Sequence, residues 1–253
     1  LAIIYPFFKF IYLNARAFYG SASLKNVNGL NSVSVISKEL FALTSLEEVT
    51  FNEIEAIHDR AFAGTKLTSV TIPVGINFFG DNIFENCTAL ATVTLPSSMT
   101  EIPRGFLLKS GITSFTANTT LAEIGDYAFY ECALLSEVHL NEGLTAIGES
   151  AFEKCSALTS VTLPDTLTSM ARAAFRSTAL TKVTLPESLT VVETYAFSAC
   201  NLGEVTMHGM LEVIKSSAFS QNVNLTSIDI PESVREIGNG AFYGTGLKFV
   251  FIP

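Results

Sequence analysis

Few residues in this sequence can do chemistry, and they are scattered. The histidines are His58, His139 and His208, and the cysteines are Cys87, Cys132, Cys155 and Cys200. Glu137 and His139 form a carboxylate–imidazole couple of the kind that moves protons. A nucleophilic triad also needs a hydroxyl or thiol converging on the same histidine. The candidate is Thr162, a poor nucleophile without a dedicated base and a pocket. The cysteines show no CxxC or CxxxH spacing, so no tetrahedral metal site is expected. The Ile-Gly pairs read as turns rather than a phosphate loop. The sequence therefore predicts no enzyme, no metal and no cofactor.

What positions these residues is a repeat. Phenylalanine returns at intervals of 21 to 23 residues, at Phe18, Phe41, Phe62, Phe84, Phe106, Phe129, Phe152, Phe175, Phe197, Phe219 and Phe242. A fixed period in this range marks a solenoid, whose units cannot bury a core alone and survive by stacking. In phase with the Phe runs a segment such as Leu67-Thr68-Ser69-Val70-Thr71-Ile72-Pro73, with apolar and polar residues alternating as in a half-buried strand. Pro closes it, having no N–H for a ladder. An apolar residue, for example Ile124 or Ile147, stands five before the Phe, and the short Ile-Gly-x-x-Ala-Phe piece predicts one helical or 3₁₀ turn. One unit, Glu101-Ile102-Pro103-Arg104-Gly105-Phe106, reads as one residue short with Gly in place of Ala. Stacked parallel strands form a sheet, expected on the concave side of an arc because bulkier turns lie opposite.

The string Ile147-Gly148-Glu149-Ser150-Ala151-Phe152-Glu153-Lys154-Cys155-Ser156-Ala157-Leu158-Thr159-Ser160-Val161-Thr162-Leu163-Pro164 resembles the BspA-type leucine-rich repeat, and Asp126 to Cys132 repeats the motif. The likeness extends over nearly all 253 residues. It implies an α/β solenoid, a right-handed leucine-rich-repeat superhelix with a parallel concave sheet and short helical or 3₁₀ turns on the convex side. The expected organisation is one solenoid of about eleven units over residues 1–253, cut from a longer protein because neither end carries a polar cap. The resemblance also implies a secreted or cell-surface protein that adheres to host or microbial proteins.

Composition narrows the partners. Hydrophobic residues make up 48% and charged residues 15%, which describes a core-forming chain. A net charge of −9 argues against nucleic acid and against an anionic membrane surface. The most apolar stretch, Leu1 to Leu13, reads as a degenerate repeat or as the core of a signal peptide. No uninterrupted apolar run reaches membrane-span length.

Outward positions of the strands form rows of Ser and Thr, which strand propensity alone explains. Glu137, His139, Lys182 and Glu204 interrupt those rows within four consecutive units and are the candidate partner-binding patch. Phe249 and Phe251 are expected to face outward on the last strand, as an interface or under a further segment. Glu53, Glu55, Asp59, Glu123, Asp126, Glu149 and Glu236 read as a solvated convex face. The cysteines read as thiols lining the stack, and Cys132 and Cys155 are the one pair in adjacent units. Asn86, Asn118 and Asn224 open Asn-x-Thr sequons, meaningful only in a secreting eukaryote. The expected function is a non-catalytic adhesion module with a protein partner on the concave sheet. The alternatives are a structural spacer and an intracellular scaffold.

Overall fold

Each unit of this chain has too few apolar side chains for a core, and stacking supplies the rest. A computed structural model describes residues 12–28 and 30–253. The signal-peptide and degenerate-repeat readings concern Leu1 to Leu13, of which residues 1–11 lie outside the described residues. The chain is a parallel-strand β-solenoid of stacked coils with the leucine-rich-repeat fold. One buried cluster runs from Leu30 to Ala241 without interruption.

Two columns of strands run along the solenoid. The first holds three-residue strands, such as Ser69–Thr71, Glu137–His139 and Lys182–Thr184, in which the central residue points inward and its neighbours outward. The second holds two-residue strands centred on the apolar position five before the aromatic, such as Glu123–Ile124 and Ala146–Ile147. Pairing is parallel and in register, with Ile124 opposite Ile147 and Val183 opposite Val205. Like residues therefore stack on like.

The expected helical turns are absent. Among the described residues the only helical element is a 3₁₀ turn at Leu30–Ser32. Around each core aromatic the backbone instead enters the left-handed region twice, two residues before and two after. Phe152 lies between Ser150 (φ 53°) and Lys154 (φ 63°), and Phe175 between Ala173 (φ 57°) and Ser177 (φ 58°). A left-handed residue ends a right-handed helix, and each non-glycine one costs about 1–2 kcal/mol. The return is a third ladder between units. Ser150, Phe152 and Lys154 N–H donate to the Arg172, Ala174 and Arg176 carbonyls at 2.8–2.9 Å. Each such bond is worth about 1 kcal/mol net, and leaving it unmade costs more.

The same ladder corrects the reading of the short unit. Asn82, Phe84 and Asn86 donate to Arg104, Phe106 and Leu108, so Phe106 occupies the place that Ala fills elsewhere. Leu107 takes the aromatic slot, five residues after Ile102, and no residue is missing. Consequently the rings stack nearly parallel from Phe18 to Phe84 and from Phe129 to Phe242, while Phe84 and Phe106 meet at 86°. The two-residue strands break at the same point: Phe78–Phe79 is the end of one sheet and Glu101–Ile102 of the next.

The acids of the turn face are not simply solvated. Asp59 pairs with Lys38 at 3.4 Å, Asp126 with Arg104 at 3.1 Å and Glu149 with Arg172 at 3.1 Å, each across one unit boundary. Glu39 bridges Arg16 and Arg60, and Glu131 bridges Lys109 and Lys154. Exposed pairs are worth about 0–1 kcal/mol each, so they fix the alignment of neighbours more than they stabilise the stack.

Candidate functional site

The alternation of the three-residue strands turns Glu137, His139, Lys182 and Glu204 outward, and all four are exposed. They occupy one face, on three units within a run of four. Lys182 stands in register opposite Glu204, yet no ion pair joins them among the described residues. The contrast with the turn face is sharp. Of 15 Lys and Arg residues, Arg16, Lys25, Lys38, Arg60, Arg104, Lys109, Lys154, Arg172, Arg176 and Lys215 are in ion pairs. Lys182 is not.

The strands of this face do not form one continuous ladder. They pair two by two: Ser69–Thr71 with Thr92–Thr94, Ser114–Thr116 with Glu137–His139, Lys182–Thr184 with Glu204–Thr206, and Ser227–Asp229 with Phe249–Phe251. Residues 160–162 fall between the second and third pairs and form no strand. Beside them a cleft of about 340 Å³ opens between residues 161–165 and 182–186 and reaches His208. Its outward rim carries Thr162, Lys182 and Thr184. His208 was not among the sequence candidates. It lies past the end of Glu204–Thr206, where strand alternation gives no orientation.

Phe249 and Phe251 are 74% and 63% exposed. Their strand is exposed at all three positions, Val250 included. They lie beyond the Lys182 cleft and do not line it. The three histidines do not meet: His58 rests on the Phe78 ring at 4.9 Å on the turn side, while His139 and His208 belong to different units. Among the described residues no group of three His, Cys, Asp or Glu could hold a metal ion. Asn86 and Asn224 are exposed, whereas the Asn118 amide donates to the Pro96 and Met99 carbonyls at 2.8 and 2.9 Å, and a glycan would remove one of these bonds.

The cysteines form an interior column. Each is free, and its thiol donates to a carbonyl of the preceding unit: Cys87 to Phe62, Cys132 to Leu107, Cys155 to Phe129 and Cys200 to Phe175, at 3.0–3.1 Å. Cys132 and Cys155 are thus engaged with backbone, not with each other. Burial pushes Cys132 and Cys200 up to about 11 and raises Cys87 and Cys155. In the unfolded chain these thiols ionise near pH 9 or just below. The folded state therefore holds protons that the unfolded state releases, so stability is full below about pH 9 and declines toward about pH 11. Cys132→Ser, which keeps a donor but does not titrate there, is expected to lose less stability than the parent between about pH 8 and about pH 10.5 in urea unfolding. Equal losses would mean that other groups set the alkaline limit.

Carboxylates meet less comfortably elsewhere. Glu101 lies in register opposite Glu123, and its carboxyl is raised by burial, then by Glu123 and Asp81. It borders a cleft of about 410 Å³ with Phe78, Phe79 and Met99, at the point where the aromatic stack breaks. No helix among the described residues is long and apolar enough to cross a membrane.

Comparison with known proteins agrees with this architecture. The "BspA type Leucine rich repeat region" profile matches residues 11–136, 55–178, 101–222 and 145–253. A leucine-rich repeat protein from Bacteroides ovatus is 26% identical with a TM-score of 0.79, over 95% of this chain and 70% of that one. A leucine rich cell surface protein from Faecalibacterium prausnitzii has a TM-score of 0.59 at 24% identity, over 94% of this chain and 76% of that one. The pneumococcal vaccine antigen PcpA has a TM-score of 0.52 at 20% identity, over 87% of this chain and 60% of that one. No curated protein sequence matches the chain. The repeat phase, the parallel stack and the profile that matches from residue 11 to residue 253 agree: the chain belongs to the BspA-type leucine-rich repeat family.

Proposed function

We propose that this chain is a non-catalytic protein-binding module of a secreted or cell-surface protein, holding its partner on the face of the three-residue strands. The observation that carries the reading is the contrast in charge use. The turn face neutralises most of its cations in inter-unit pairs, whereas Glu137, His139, Lys182 and Glu204 stand exposed on the opposite sheet with no ion pair among the described residues. Unpaired polar groups on a rigid sheet add little to stability and are available to a partner, where charge complementarity sets specificity and on-rate. The surface location is supported by family membership and by a shared fold with a protein named a leucine rich cell surface protein.

The test compares two surfaces. A quadruple variant, Glu137→Ser, His139→Thr, Lys182→Ser and Glu204→Thr, is set against one with Lys38→Ser and Arg104→Ser on the turn face. Binding to immobilised extracellular-matrix and bacterial surface proteins is expected to fall at least about tenfold in the first and to persist in the second, about 1.4 kcal/mol of binding free energy. Equal binding by parent and quadruple variant would remove the patch and favour a spacer.

A further inference from the structure

We infer that the cleft beside Lys182 receives a carboxylate of an acidic peptide segment. This deepens the protein-binding reading of the same face and rests on it. The first ground is a seam in the sheet. In four units the N–H just past the strand donates to the next unit: Ile72 to Thr94, Ala117 to His139, Leu185 to Thr206 and Ile230 to Phe251, at 2.9–3.1 Å. Among the described residues the equivalent bond is missing at Leu95, Leu140, Leu163 and Met207. Residues 160–162 lie between two of these gaps and alone of the units from Ser69 to Phe251 form no strand, and the cleft lies along the gap at Leu163. At about 340 Å³ it has room for one or two side chains.

Charge is the second ground. Lys182 is the only Lys or Arg at an outward position of the strands from Ser69–Thr71 to Phe249–Phe251, in a chain of net charge −9. It is exposed at the cleft rim, with no ion pair among the described residues. Thr162 and Thr184 flank the seam with hydroxyl donors, and the half-buried His208 lines the same cleft. Asp165 also borders it, and Glu204 stands opposite Lys182. Asp165 and Glu204 repel a singly charged carboxylate half as strongly as a dianion such as phosphate, so a monoanion held by Lys182 is the better match. A peptide fits better than an acidic sugar, because an extended chain offers amide groups to the backbone of residues 160–163, which forms no backbone hydrogen bond among the described residues.

The experiment uses the full 253-residue chain and fluorescent hexapeptides followed by polarisation. One peptide carries a central Glu and an amidated C-terminus. A second replaces Glu by Gln, and a third carries Gln with a free C-terminal carboxylate. Binding of the Glu peptide is expected to weaken about tenfold or more on Glu-to-Gln replacement and in Lys182→Met, the loss of one charge-assisted bond. Lys66→Met, which removes an exposed lysine elsewhere, is expected to leave it unchanged. Binding of the third peptide but not the first would support the carboxylate site and assign it to chain termini. Equal affinity for Glu and Gln peptides, no effect of Lys182→Met, or binding of a glucuronate disaccharide alone would overturn the inference. So would silence from every probe up to about 1 mM. If the peptides fail while the quadruple variant still loses its protein partner, the patch stands and the cleft does not.

Discussion

Phe152→Ala is expected to remove about 3–5 kcal/mol of folding stability. The ring is fully buried and lies between Phe129 at 5.0 Å and Phe175 at 5.1 Å, with interplanar angles of 4° and 5°. Truncation therefore opens a cavity that touches two unit boundaries at once. Stability in a solenoid is close to a sum of unit and nearest-neighbour contributions, so weakening both boundaries is felt beyond the unit that carries the substitution. Urea unfolding followed by circular dichroism measures the loss. Phe242→Ala is the internal reference, since that ring is only half-buried and stacks on Phe219 alone among the core rings. Equal losses at Phe152 and Phe242, or a loss below about 1 kcal/mol at Phe152, would show that the column is not the shared core.

The phase of the solenoid was readable because it is written in the most apolar side chains. Phe, the residue five before it and the strand centre each recur where stacking demands burial. The left-handed pairs that close each turn were not readable, because glycine fills few of them. Gly20, Gly64, Gly105, Gly240 and Gly244 mark the conformation, but Arg60, Tyr127, Ser150 and Ala173 adopt it too. Inter-unit hydrogen bonds hold those residues against their local preference, and such bonds leave no trace in a single unit's composition. The misplaced Phe106 has the same origin. Phe106 is the only aromatic of its unit near the slot, whereas the backbone ladder gives that slot to Leu107.

The candidate face was legible up to the point where it depends on one strand meeting the next. Alternation alone turns Glu137, His139, Lys182 and Glu204 outward. The seam at residues 160–163 depends on whether adjacent backbones bond, and Ser160-Val161-Thr162 has the composition of strands that do. The ion pairs of the turn face follow from the repeat period. Setting each unit above its neighbour places Arg104 over Asp126 and Glu149 over Arg172, a signal carried by residues 22 and 23 apart.

Asn222→Ala is expected to cost about 3 kcal/mol, a large effect for the removal of one polar side chain. Asn222 is fully buried at the position that cysteine fills in four other units. Its amide donates to the Phe197 carbonyl at 2.9 Å and the Phe219 carbonyl at 2.8 Å, and its oxygen accepts from the Leu202 N–H at 3.1 Å. Alanine leaves all three backbone groups without that partner in an interior where each costs about 1–3 kcal/mol. Asn222→Cys should recover part of the loss, because Cys200 donates from the equivalent position to the Phe175 carbonyl at 3.1 Å. Full recovery would mean that only the link to the preceding unit matters. No recovery would mean that the bonds to Phe219 and Leu202 dominate. An alanine variant as stable as the parent would remove this column from the forces that hold the units together.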